Sequence, residues 1–174
     1  MLPIPKHLIE ILKPIGNKNT EFEVKGNIAC DCSGESFTIN LVGNGSNYKK
    51  KKVIEVLEID GNYFLVVSAK CNSCGKEHLI FDMDKHGWDG FVCGGAFSNQ
   101  LSKPKAQVWP CNKCEKSDHL ITVTILSKGQ ADFIEEGEGL DKNDWAEAFS
   151  WIIIKTVCNS CKESNNEWIS YETM

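Results

Sequence analysis

The chain has 174 residues, 41% of them hydrophobic, with a formal net charge of −5. That length and apolar content allow one or two packed domains and exclude a disordered chain, while the negative balance argues against a nucleic-acid binder, which needs an excess of lysine and arginine on at least one face. No apolar run approaches the length of a membrane span, and residues 1–7 carry neither a basic start nor a long apolar region, so no secretory signal is expected and the expected compartment is the reducing cytoplasm. There the nine cysteines, an odd number, point to metal or redox chemistry rather than to structural disulfides.

Residues 1–20 form a lead-in. Within it 3–13 reads as a short helix: Pro5 suits a first turn, Ile4, Leu8 and Leu12 recur at helical spacing, and Pro14 with Gly16 stops it. Its expected role is to cover a core. From Glu21 to Lys25 the residues alternate as a half-buried strand does, and Ile28-Ala29 delivers the chain to Cys30-Asp31-Cys32. A second alternating segment runs over 37–42. A glycine- and asparagine-rich loop follows, and then the run Lys49-Lys50-Lys51-Lys52, which reads as a solvated, charge-protected strand edge. Residues 53–59 and 63–69 are two strands joined by the hairpin signal Asp60-Gly61. They lead into Cys71-Asn72-Ser73-Cys74-Gly75, and Leu79-Ile80-Phe81 is the returning strand.

Residues 82–106 are rich in glycine and polar side chains, yet Trp88, Phe91, Val92 and Phe97 demand burial, so a structured connector is expected. Asp82-Met83-Asp84-Lys85-His86-Gly87 imitates the first half of a calcium loop but lacks the closing glutamate, and it reads as a polar turn anchoring Trp88. Cys93, beside Gly94-Gly95 and downstream of His86, offers a possible nucleophile, although a small buried residue in a tight turn is the commoner use of such a thiol. His7 and His119 read as structural or solvated.

The plan then repeats. Cys111-Asn112-Lys113-Cys114 precedes a strand over 120–126, a strand over 151–157 feeds Cys158-Asn159-Ser160-Cys161, and a strand over 167–171 follows. Between the two long strands, residues 132–147 carry seven carboxylates (Asp132, Glu135, Glu136, Glu138, Asp141, Asp144, Glu147) against Lys142 alone. Residues 141–149 read as a short helix capped by Asp141 or Asn143, with Trp145 and Phe149 bracing an acidic protrusion.

Eight cysteines thus sort into two sets that do not overlap along the chain: Cys30, Cys32, Cys71 and Cys74, then Cys111, Cys114, Cys158 and Cys161. Two thiolate pairs, each presented by a tight turn, supply the four tetrahedral corners that zinc requires, so two zinc ions per chain are expected. Strand-like residues follow the repeated pairs, whereas a redox Cys-x-x-Cys usually opens a helix, which favours metal over dithiol chemistry. On these turns the sequence resembles the zinc-ribbon class, in which two knuckles on β-hairpins clamp one structural zinc. Gly75 matches the knuckle pattern best, the other turns lack that glycine, and Cys30-Asp31-Cys32 is one residue short. His78 and Cys93 therefore stand as alternative ligands for the first site.

The expectation is a mainly β (α+β) protein of two zinc-ribbon-like halves from an internal duplication, with a short N-terminal helix and an acidic helical insertion. The halves are 21–90 and 107–174, joined by a connector over 91–106, with the insertion at 130–149. Function is expected to be protein interaction, as an adaptor or inhibitor-like module with a basic partner. The alternatives are a nucleic-acid-associated zinc-ribbon accessory and an enzyme using Cys93 or an open metal position.

Overall fold

A computed structural model describes residues 1–16, 20–44, 53–95, 103–137 and 139–174. The tetralysine run, Phe97 and Glu138 lie outside the described residues. Eleven strands are described: β1 (Leu12–Pro14), β2 (Glu23–Ile28), β3 (Phe37–Val42), β4 (Leu57–Ile59), β5 (Asn62–Phe64), β6 (Val66–Cys71), β7 (Glu77–Asp82), β8 (Gln107–Val108), β9 (His119–Leu126), β10 (Trp151–Cys158) and β11 (Ser164–Glu172). The one α-helix among the described residues, α1, spans Gln130–Glu136. The protein is mainly β, as the alternating segments predict.

Nine strands form one sheet, and β4 with β5 makes a separate hairpin. β9 pairs with β10 along its whole length, and its opposite edge is shared by β2 and, at a single point, β3. β3 likewise pairs with β6 along its whole length, and its opposite edge meets β8 and β9. The sheet therefore curls as two arms, joined where Phe37 opposes His119.

The register on either side of that point is two-fold. Asn40, three residues beyond Phe37, opposes Val108, three residues before Cys111. Thr122, three residues beyond His119, opposes Asn27, three residues before Cys30. Each arm's leading strand is thus laid on the other arm's central strand. Burial follows the alternation in β9 and β10, whose inward residues Ile121, Val123, Ile125, Ile152 and Ile154 are nearly inaccessible. One continuous core joins these side chains to Val24, Ile39, Val67 and Phe81.

The N-terminal helix is not formed. Lys6–Leu8 makes a single 3₁₀ turn and Leu12–Pro14 is strand. Leu8 and Leu12 are buried as their spacing implies, but β1 gains a ladder on β2, with Leu12 opposite Ile28, and that pairing outweighs the weak helical preference of so short a segment. The strand expected over 63–69 is broken at Leu65 into β5 and β6. The connector is structured where described. Trp88–Val92 forms a π-turn, entered at Gly87 with φ 74°. A Cβ on Gly87 would stand 2.5 Å from the Thr173 side chain, and Thr173 Oγ1 accepts from Trp88 N at 3.1 Å while its own hydroxyl donates to Phe149 O. The connector is thereby clamped to the last strand region.

In the insertion, the expected helix over 141–149 is a 3₁₀ segment, Lys142–Ala146, with Asp141 capping it through Asn143 N at 2.9 Å. Trp145 and Phe149 are buried, so they brace it. Helix α1 precedes it, with Phe133 turned inward onto Trp88 at 6.3 Å.

Candidate metal centres

Each candidate centre is built from two turns delivered by strands. β6 ends at Cys71 and β10 at Cys158, and both run directly into Cys-Asn-Ser-Cys turns closed by the same bonds. Cys71 N donates to Lys76 O and Cys158 N to Glu163 O, each at 2.8 Å, while Gly75 N returns to Cys71 O and Lys162 N to Cys158 O, each at 2.9 Å. Cys111 N repeats the pattern with Lys116 O at 2.8 Å. Even the shorter Cys30-Asp31-Cys32 turn closes, with Cys30 N on Gly34 O at 2.8 Å. Gly34 is what admits it: a Cβ there would lie 2.8 Å from Cys71 Sγ and 2.9 Å from Ser73 Oγ.

The sulfurs converge in the two expected sets. All four Sγ atoms of Cys30, Cys32, Cys71 and Cys74 lie within 4.8 Å of one another, and so do those of Cys111, Cys114, Cys158 and Cys161. Cys30–Cys74 and Cys32–Cys71 stand 3.6 Å apart, Cys111–Cys161 3.6 Å and Cys114–Cys158 3.5 Å. A disulfide needs about 2.05 Å, and all nine cysteines are free. Four sulfurs at about 2.3 Å from a common zinc would be about 3.8 Å apart, close to these separations. The donor set and its spacing fit a tetrahedral metal ion.

Backbone amides prepare some of the sulfurs as thiolates. Burial pushes the Cys71 thiol up, but N–H groups of Cys74 and Ser73, with the Cys32 and Cys74 sulfurs, bring it down to about 6. Cys158 follows the same pattern: burial opposes ionisation, and the Cys161 amide, the Cys114 sulfur and the Ser160 amide lower it to about 7. Each is the first cysteine of its Cys-Asn-Ser-Cys turn, where the amides point inward. Cys30 and Cys111 are held above the ordinary thiol value, chiefly by burial, a cost that a bound cation would offset.

Of the two alternative ligands, His78 lies at the first cluster and Cys93 is in none of the donor groups found among the described residues. His78 Nε2 lies 3.2 Å from Cys30 Sγ, and burial holds the ring below its ordinary value and so neutral. It stands beside the four-sulfur cluster and orients Cys30, in the manner of an outer partner of a metal ligand. With Asp31 it forms a third donor group sharing Cys30, but Asp31 Oδ2 is already held by Lys76 Nζ at 2.7 Å. Cys93 is exposed after the π-turn and belongs to none of the donor groups found among the described residues. His86, its proposed companion, stacks on His7 with ring centroids 3.6 Å apart and accepts from Asp82 N at 3.0 Å. The calcium-like turn is filled by an ammonium group: Lys103 Nζ is 2.5 Å from Asp82 Oδ1 and 3.4 Å from Asp84 Oδ2.

Asp118 escapes sequence reasoning altogether. It precedes β9, and its carboxylate meets both Cys-Asn-Ser-Cys turns, through Asn72 Nδ2 at 3.4 Å and Asn159 Nδ2 at 3.2 Å. The repeated asparagine was the available signal. A groove of about 370 Å³ lies between β4 and β8, lined by Leu57, Ile59, Val108, Pro104 and Pro110 among others. No helix among the described residues is long and apolar enough to cross a membrane.

No protein-family model matches the chain, and no curated protein and no solved structure matches it either.

Proposed function

We propose that the two cysteine clusters hold one zinc ion each as structural sites, and that the protein acts in the cytoplasm as a protein-interaction, adaptor or inhibitor-like module built as two zinc-ribbon-like halves. The observation that carries the reading is that each centre gathers four sulfurs within 4.8 Å of one another, while His78 and Asp31 share only Cys30 with the first set. A catalytic zinc keeps a position for water, usually beside histidine or carboxylate ligands. Cys30, Cys32, Cys71 and Cys74 would hold one ion and Cys111, Cys114, Cys158 and Cys161 the other. Bound there, zinc supplies a four-way cross-link between turns that are distant in sequence.

The proposed partner surface is α1. Asp132, Glu135 and Glu136 are exposed on it, and Ile134 is 52% exposed among them, an apolar contact rimmed by carboxylates that suits a basic partner. The field is smaller than the count of seven carboxylates implies. Asp144 pairs with Lys6 at 2.7 Å, Glu147 accepts from Lys6 N at 2.7 Å, and Glu136 lies 3.8 Å from Lys128.

Metal analysis of protein purified without added zinc tests the first part, with two zinc ions per chain expected; one or none sinks it, and iron would turn it toward redox chemistry. Exchange of Asp132 and Glu135 for lysine tests the second. Zinc content and melting should hold while association with the partner captured by the parent slows at low salt. Retention on heparin that falls steeply with salt would move the assignment to nucleic acid.

A further inference from the structure

We infer that the Asp118 carboxylate couples the two metal centres, so that emptying one loosens the other. The inference rests on the zinc reading above. Ser36 and Asp118 hold equivalent places, immediately before Phe37 and His119, the pair that joins the two arms. Their carbonyls do equivalent work, since Asn72 N donates to Ser36 O and Asn159 N to Asp118 O, each at 2.9 Å. The side chains break the symmetry. Asp118 divides its two oxygens between the turns: Oδ1 accepts from the Ser36 hydroxyl and from Asn72 Nδ2 at 3.4 Å, and Oδ2 accepts from Asn159 Nδ2 at 3.2 Å. Asn72 Nδ2 also donates to Ser36 Oγ at 2.8 Å, and Thr38 Oγ1 donates to Asn72 Oδ1 at 2.8 Å.

Asn72 lies between Cys71 and Cys74, and Asn159 between Cys158 and Cys161, so each amide is aimed at Asp118 only while its turn is closed. A carboxylate is rigid. When the first turn opens and Asn72 swings away, Oδ1 is left with the serine and the group rotates toward it, which carries Oδ2 off Asn159. The second turn then loses a charge-assisted bond on the residue between its own ligands. Thermodynamic reciprocity requires the second site to act on the first to the same extent. A coupling of about tenfold is expected, within the usual range for linked sites.

Pulse alkylation of the zinc-loaded full chain, read by mass spectrometry, reports each site separately through the peptides carrying Cys71 with Cys74 and Cys158 with Cys161. Asn72→Ala removes an amide of the first turn and no contact of the second, yet it should speed alkylation of Cys158 and Cys161 about fivefold or more, and Asn159→Ala should do the same to Cys71 and Cys74. Asp118→Ala should speed both. If Asp118→Ala fails to fold, the two asparagine variants carry the test, because they remove partly exposed amides. Acceleration confined to the turn that was changed overturns the coupling. So does an equal acceleration in Ile152→Val, a core variant that lowers melting without touching the bridge. A parent chain with fewer than two zinc ions defeats the zinc reading itself, whereas two zinc ions with purely local effects defeat the coupling alone.

Discussion

At the residue next to each cysteine turn the backbone enters the left-handed region: φ is 67° at Ser33, 79° at Gly75, 61° at Glu115 and 61° at Lys162. Only Gly75 announces this in the sequence, because glycine alone adopts the conformation without steric cost. The other three are held there by closure of the turn, which costs roughly 1 kcal/mol each for an L side chain. Glu115→Gly and Lys162→Gly should therefore each stabilise the zinc-loaded protein by about 0.5–1 kcal/mol in denaturant unfolding. Gly75→Ala should lose a similar amount although the space is open, its nearest neighbour being Lys70 Cε at 3.9 Å from the added carbon. Histidines were as poorly legible. His7 reads as structural or solvated without a partner being named; it stacks on His86, and burial together with the His86 charge brings it down to about 3, while burial likewise brings His86 to about 4. Between those values and the ordinary value near 6.5 the unfolded chain binds more protons than the folded one, so this stability is complete above pH 6.5 and drains as pH falls toward 4. Thiolates also take protons in acid, so the measurement is the difference between parent and His7→Phe: the variant should lose less stability between pH 6.5 and 4.5.

At the scale of elements, legibility tracks how much of a segment's fate is decided locally. β9 and β10 were legible as strands from their apolar, β-branched runs, although the alternating burial of β10 is not written in its Trp-Ile-Ile-Ile start, and the Cys-Asn-Ser-Cys turns carry their own closing bonds. β1 looked helical because Ile4, Leu8 and Leu12 share a helical spacing; its true state depends on β2, which no local pattern encodes. Helix α1 was hidden for the opposite reason. Its single buried residue is Phe133, and nothing in 130–136 repeats often enough to mark a face. On the zinc reading proposed above, the cysteine turns carry the largest energetic effect at this scale. Cys158 is the end residue of β10 and one corner of the second cluster, so Cys158→Ser would remove one of the four proposed ligands. Loss of one zinc ion and a fall in the melting midpoint of more than 10 °C are expected, since structural zinc contributes on the order of 10 kcal/mol to small modules. A variant that loses one zinc ion and melts like the parent would contradict a structural role.

Across the whole molecule, the duplicated cysteine pattern invites a picture of two independent halves, and the strand exchange argues against it. β2 precedes the first cysteine pair but lies on β9, with Gly26 opposite Val123 and Asn27 opposite Thr122. β8 precedes the second pair but lies on β3, with Val108 opposite Asn40 and Trp109 N donating to Ile39 O at 2.8 Å. Phe81 against Phe149, with ring centroids 6.3 Å apart, and Ile54 N donating to Trp168 O at 2.7 Å extend the same mutual dependence into the core. A fragment of residues 107–174 would keep all four of its cysteines yet expose the edge of β9 that β2 covers, with Ile125 losing Val24 and Val123 losing Gly26 from the opposite strand. A fragment of residues 1–106 would strand β2 and β1 with no central strand to lie on. Neither fragment should give a dispersed amide spectrum with zinc alone, and mixing the two with two equivalents of zinc should restore the spectrum of the intact chain, because the exchange needs no covalent connector. Independent folding of 107–174 around a single zinc ion would show that its cysteine cluster suffices without β2, and would return the protein to two self-contained ribbons.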